Sequence, residues 1–130
     1  MIHIRQSALF VLLLAPLASQ APPRQPLTIP LHCPSGDCPL LKGAPQTAGM
    51  RSGFVRLVTG ASVGWHSTGQ NEESLVILKG NGQALIEGQA PREIAAAQLV
   101  YIPSGTRHNV TNNGSEPLEY VYIVAPAVEK

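Results

Sequence analysis

Charge is scarce in this chain: Asp, Glu, Lys and Arg make up 13% of its 130 residues, and nine basic against eight acidic groups leave a net charge of +1. One of the basic residues, Arg5, sits in the apolar N-terminal stretch, so the remainder is balanced. No basic stripe forms, so nucleic acid is not an expected partner. Aromatics are scarcer still, at 5% with a single Trp, so the core must be built from aliphatic side chains. Long hydrophobic runs are missing as well. The most apolar stretch, Ala8 to Ala15 and on past Pro16 to Ala18, falls far short of the ~20 residues that a membrane span requires. Two cysteines are too few for a closed zinc cage, and past Met50 no segment holds apolar residues at helical spacing for long.

What the ends do contain is informative. MIHIRQSALFVLLLAPLASQA pairs a basic n-region with an apolar h-region and offers the small residues Ser19 and Ala21 at a cleavage position. Residues 1–21 therefore read as a secretory signal peptide, with an uncleaved anchor as the alternative because Pro22 follows directly. Export to a secreted or periplasmic location and no stable membrane span after processing are the expectations. Residues 22–49 read as an N-terminal extension. It opens on the proline-rich APPRQPLTIP, which favours an extended tail. Within it Cys33 and Cys38 bracket the turn-forming Pro34, Ser35, Gly36 and Asp37. In an oxidising compartment that pattern favours a disulfide, contributing about 2 kcal/mol by chain entropy. The competing reading is a thiol pair binding metal with His32.

From residue 50 to 126 short β-rich runs recur between Gly, Asn and Pro punctuation, the pattern of an all-β barrel or sandwich. The expected strands are Phe54 to Thr59, Ser62 to Ser67, Ser74 to Lys79, Gln83 to Glu87, Leu99 to Ile102, His108 to Thr111 and Leu118 to Val124. Gly80-Asn81-Gly82 and Asn112-Asn113-Gly114 read as hairpin turns, and Ala95 to Ala97 as at most one helical turn. Strand alternation places Glu73 with Leu75 and Ile77 and turns Glu72 the other way, a weak preference for Glu73 as the interior carboxylate. It also places His66 and Thr68 on one face, opposite Trp65.

Two segments carry the functional signal. GASVGWHSTGQNEESLVILKG matches the pattern G-x5-H-x-H-x3,4-E-x6-G through Gly60, His66, Glu73 and Gly80. PSGTRHNVTN matches G-x5-P-x-G-x2-H-x3-N through Pro103, Gly105, His108 and Asn112. In these motifs the chain resembles the cupin family of small single-domain, conserved-barrel proteins. It departs from them twice, with Thr68 in place of the second histidine and Ala97 in place of the glycine that opens the second motif. The resemblance implies a jelly-roll barrel, also called a double-stranded β-helix. It further implies that His66, Glu73 and His108 hold a divalent transition metal. Thr68 is no substitute for an imidazole, so the implied ligands are two histidines and one carboxylate. This set suits iron best, with zinc or manganese as options. The competing reading is that loss of the fourth ligand emptied the site and left a polar pair in a binding pocket.

Thr68, Tyr101, Tyr120 and Tyr122 are candidate pocket residues, although aromatics at alternate strand positions more often fill a core. Trp65 is assigned to packing and Arg107 to a solvated rim. Asn109-Val-Thr111 and Asn113-Gly-Ser115 fit the glycosylation sequon. Two functions follow: an exported metal-dependent enzyme acting on a small molecule, with an oxygenase favoured, or a non-catalytic binder of a sugar or carboxylate. A homodimer is compatible with either. In protein recovered from an oxidising compartment, Cys33 and Cys38 should resist alkylation until reductant is added. Two labelled thiols on the unreduced intact mass would refute the pairing.

Overall fold

The computed structural model describes residues 23–128, and the expected leader, residues 1–21, lies outside them. Among the described residues there are eight strands and no helix: β1 (Gly36–Lys42), β2 (Arg51–Leu57), β3 (Asn71–Lys79), β4 (Asn81–Ile86), β5 (Arg92–Ala95), β6 (Gln98–Ile102), β7 (His108–Thr111) and β8 (Leu118–Pro126). They form a five-stranded sheet in the order β1-β2-β8-β3-β6 and a three-stranded sheet in the order β5-β4-β7, with every pair antiparallel. This is the expected all-β jelly-roll architecture. No helix among the described residues is long and apolar enough to cross a membrane.

Alternation builds the core. On β3, Glu73, Leu75 and Ile77 are buried, while Glu72, Val76 and Leu78 are not. The register carries these residues across the sheet: Glu73 faces Val124, Leu75 faces Tyr122 and Ile77 faces Tyr120. The smaller sheet supplies Ala84, Ile86, Ile94 and Val110 from the opposite side, so the interior is almost wholly aliphatic. Each Leu, Ile or Val among them, fully buried, contributes about 1.5–3 kcal/mol.

Three sequence expectations change here. First, the barrel's pairing begins before residue 50. β1, inside the segment read as an extension, hydrogen-bonds along β2 from Gly36↔Arg56 to Lys42↔Arg51. Cys33 and Cys38 are disulfide-bonded at its entrance. The prolines just upstream hid a strand whose own sequence, GDCPLLK, has little β signal.

Second, Ser62 to Ser67 is not a continuous strand. Gly60 takes positive φ just before it, and Gly64 takes positive φ within it and interrupts it. Only isolated bridges, Ser62↔Thr111 and His66↔His108, tie it to β7.

Third, Gly80-Asn81-Gly82 is no hairpin and Ala95 to Ala97 no helical turn, and Asn112-Asn113-Gly114 likewise joins strands of different sheets, β7 and β8. β3 and β4 lie in different sheets, as do β5 and β6, so these segments are corners where the chain crosses between layers. The first two corners are bonded to each other, Ala96 N–H donating to the Gly80 carbonyl at 3.1 Å and Ala97 N–H to that of Ile77 at 2.9 Å. Gly80 has φ +78, and a Cβ there would lie 2.4 Å from the Pro117 carbonyl oxygen, so only glycine fits.

At the second corner Ala97 itself adopts φ 66, the one positive-φ residue that is not glycine among those described. No neighbour absorbs the turn in its place. An L-residue there carries a penalty of roughly 1–2 kcal/mol. Ala97→Gly should therefore stabilise the fold by about 0.5–1 kcal/mol after the added chain entropy of glycine. Urea unfolding checks this, and a variant no more stable than wild type would contradict it.

Candidate metal centre

Glu73 and His108 come from opposite sheets and meet in the barrel interior. β3 turns Glu73 inward because Leu75 and Ile77 must be buried. β7 begins at His108, whose residue exposure is 0%. His66 reaches the same place from the irregular segment alongside β7: its N–H donates to the His108 carbonyl and the His108 N–H to the His66 carbonyl, both at 2.9 Å. The imidazole rings stack obliquely with centroids 4.3 Å apart. Each ring has Nδ1 against a backbone carbonyl, His66 on Gly64 at 2.9 Å and His108 on Thr106 at 3.0 Å. A carbonyl only accepts, so Nδ1 carries the proton in both rings, and neutral rings present their Nε2 lone pairs to the cavity.

Glu73 Oε2 and His108 Nε2 lie 3.1 Å apart. They lack the alignment of a hydrogen bond, and both atoms are buried without any other partner. Leaving such atoms unsatisfied costs about 1–3 kcal/mol each. One potential ligand atom from each of His66, Glu73 and His108 lies within 4.8 Å of the other two. A carboxylate oxygen and two imidazole nitrogens are the donor types that a divalent transition metal takes. Burial pushes the His108 imidazolium down, while the Glu73 carboxylate and the Thr106 carbonyl push it up, and the balance leaves it above the ordinary histidine value.

The three residues open into a cavity of about 360 Å³. Thr68 lines it beside His66. Its hydroxyl donates to the Asn71 carbonyl at 2.9 Å, however, so it locks the turn into β3 and is not presented as a fourth ligand. Because the segment is irregular, the shared face of His66 and Thr68 rests on this local turn and not on strand alternation. Tyr120 and Tyr122 also line the cavity. Burial raises both phenols, with Glu73 and Asp37 adding to the effect, and Tyr122 is pushed up to about 12. Both therefore remain protonated at neutral pH. Tyr122 lies over Gly53, where a Cβ would come within 2.5 Å of the ring, and its hydroxyl donates to Asp37 at 3.4 Å.

Tyr101 does not line the cavity of the triad. It is 54% exposed on the outer face of β6 and donates to Glu72, the carboxylate that alternation turns outward. Trp65 is not packed in the core either, being 45% exposed with the Arg107 guanidinium 5.4 Å from its ring centre. Arg107 is a rim charge as expected, paired with Glu87 at 3.1 Å. Asn109 is buried and accepts from the Gly64 N–H at 2.9 Å, which removes it as a glycosylation acceptor. Asn112 is structural, its amide donating to the Leu57 and Glu116 carbonyls. Two charged cavity residues, Asp37 and Arg51, escaped the sequence reading. Arg51 alternates with Gly53 and Val55 and could have been found that way, whereas Asp37 lies on the strand that composition concealed.

The family model for the cupin domain matches residues 53–124. The chain belongs to the cupin family. Solved structures agree on the fold. A protein from Bacillus halodurans is 20% identical with a TM-score of 0.69, over 82% of this chain and 85% of that one. The cupin domain of Cnp3 from Schizosaccharomyces pombe is 21% identical with a TM-score of 0.62, over 70% of this cupin and 64% of that chain. The DMSP lyase DddQ from Ruegeria pomeroyi is 25% identical with a TM-score of 0.54, over 62% of this cupin and 40% of the lyase. The chain thus spans less than two thirds of the length of these last two. Other similar chains are described as double-stranded β-helix folds. No curated protein matches the sequence significantly.

The Gly53 and Tyr122 contact is directly testable. Gly53→Ala should destabilise the barrel by about 1–3 kcal/mol through overpacking. In the Tyr122→Leu background the same substitution should cost much less. A double-mutant cycle in urea with no coupling between the two positions would refute the contact.

Proposed function

We propose that this cupin is an exported, metal-dependent enzyme acting on a small molecule in the barrel cavity, with His66, Glu73 and His108 holding the metal. The observation that carries the reading is the buried pair Glu73 Oε2 and His108 Nε2, 3.1 Å apart and with no hydrogen-bond partner beyond one another, facing the cavity beside His66. A metal would satisfy both atoms and turn an energetic liability into a binding site. Iron fits the ligand set best, with zinc or manganese as alternatives. Bound iron would supply redox chemistry with dioxygen, and three protein ligands leave coordination positions free for it.

The chain's own residues supply orientation and shelter. The Gly64 and Thr106 carbonyls fix which imidazole nitrogen faces inward, and Val110 and Val124 keep that part of the cavity wall apolar. Tyr122, whose hydroxyl proton points to Asp37, presents its phenol oxygen to the cavity as an acceptor. His66 is solvent-exposed, so the centre is reached from its side. The disulfide is in keeping with an oxidising compartment.

Metal analysis of gently purified protein tests the reading, and stoichiometric iron, zinc or manganese is expected. Glu73→Ala should abolish retention, whereas Glu72→Ala should leave it intact. Thr68→His should tighten metal binding and suppress turnover by occupying an open position. Metal-free wild-type protein that still binds a small organic ligand would overturn the enzyme reading in favour of a non-catalytic binder.

A further inference from the structure

Tyr120 stands on the face of β8 that looks into the barrel, paired with Val55 on β2 and with Ile77 on β3. It is only 3% exposed, and its ring belongs to the otherwise aliphatic core. The hydroxyl is placed differently from the ring. It makes no hydrogen bond among the described residues, whereas the Tyr122 hydroxyl on the same strand face is committed to Asp37. Nor is it sealed off. The buried side-chain atoms that are closed to solvent and unbonded are Glu73 Oε2 and His108 Nε2, and the Tyr120 oxygen is not among them. The little exposure that Tyr120 keeps therefore includes its oxygen, and it opens onto the cavity that Tyr120 lines together with Val55, Val110 and the triad.

A buried tyrosine ordinarily brings its hydroxyl to a partner, and phenylalanine would fill the same core without one. Burial keeps this phenol protonated, so the group it offers the cavity is an O–H donor. No Lys or Arg is buried among the described residues, and the Glu73 carboxylate acts on the phenol through space. A ligand carboxylate placed there would lose its hydration and meet a like charge. An uncharged acceptor would meet neither penalty.

We infer that the Tyr120 hydroxyl is the donor that binds an uncharged carbonyl oxygen of the ligand, from a ketone, aldehyde or amide, with the apolar part of that ligand against Val55 and Val110. Tyr120 lies in neither of the two motif segments, so this donor and the metal ligands are separate features of the chain. The inference rests on the proposed function for the cavity's being a ligand site. It requires no metal.

NMR titration of the chelator-treated protein with cyclopentanone, with its carbon isostere methylenecyclopentane and with cyclopentanecarboxylate tests the donor. Cyclopentanone should move the Val55 and Val110 methyl signals and bind about tenfold more tightly than the carboxylate. Tyr120→Phe should weaken cyclopentanone about tenfold, because the carbonyl loses its donor, and leave methylenecyclopentane unchanged. A merely structural role would weaken both probes together. The same substitution should hold or raise the urea midpoint of the unliganded protein, since the hydroxyl it removes bonds nothing in the fold. Dispersed spectra and unchanged metal uptake establish that the variant keeps its structure. Methyl signals unmoved by cyclopentanone, equal losses for ketone and isostere, a carboxylate bound as tightly as the ketone, or a lowered urea midpoint would each overturn the inference. Ketone binding that depends on Tyr120 in a protein that takes up no metal would instead overturn the metal reading and leave the donor standing. Stoichiometric metal together with ketone binding indifferent to Tyr120→Phe would overturn the donor alone.

Discussion

Everything at the centre of this barrel depends on the register of β3. It is hydrogen-bonded on both edges, to β8 and to β6, and its inward positions are Glu73, Leu75 and Ile77. A slip by one residue would exchange those for Glu72, Ser74 and Val76, emptying the core and withdrawing the carboxylate together. Burial of two large aliphatic side chains thus fixes the position of a carboxylate that would not choose to be buried alone. The hydrophobic effect pays for the placement of the polar group.

The opposing sheet completes the arrangement. His108 starts β7, and the paired backbone bonds with His66 hold a second imidazole beside it although the segment carrying His66 is too irregular to be a strand. Backbone carbonyls fix both rings, so three potential ligand atoms converge without a hydrogen bond among them. A core selected only for stability would fill this space with aliphatic groups. Thr68, whose hydroxyl is committed to the turn before β3, leaves the cluster one residue short of the family pattern.

Around the centre, the N-terminal strand has a larger part than its sequence suggests. β1 extends the five-stranded sheet and brings Asp37 to the cavity, with the disulfide fixing the turn that precedes it. Gly53 makes the adjoining wall possible by leaving room for the Tyr122 ring. At the far end of the barrel, the bonded corners at Gly80 and Ala97 hold the two sheets together, and Ala97 accepts a strained conformation to do so.

The sequence by itself determined the all-β class, most of the strands, the preference for Glu73 over Glu72 and the candidate triad, because period-two alternation and motif spacing are local properties of the chain. It could not locate β1, since GDCPLLK gains its strand conformation from pairing with β2 and not from its own propensity. Nor could it separate Tyr101 from Tyr120 and Tyr122, because all three sit on strands and only the sheet order decides which faces lie inside. The corners at Gly80 and Ala97 read as local turns for the same reason: whether a turn reverses within one sheet or crosses to another depends on long-range pairing. Tertiary structure alone decided that Asp37 and Arg51 share the cavity with the triad, since that proximity comes from strands paired across the sheet and leaves no periodicity along the chain.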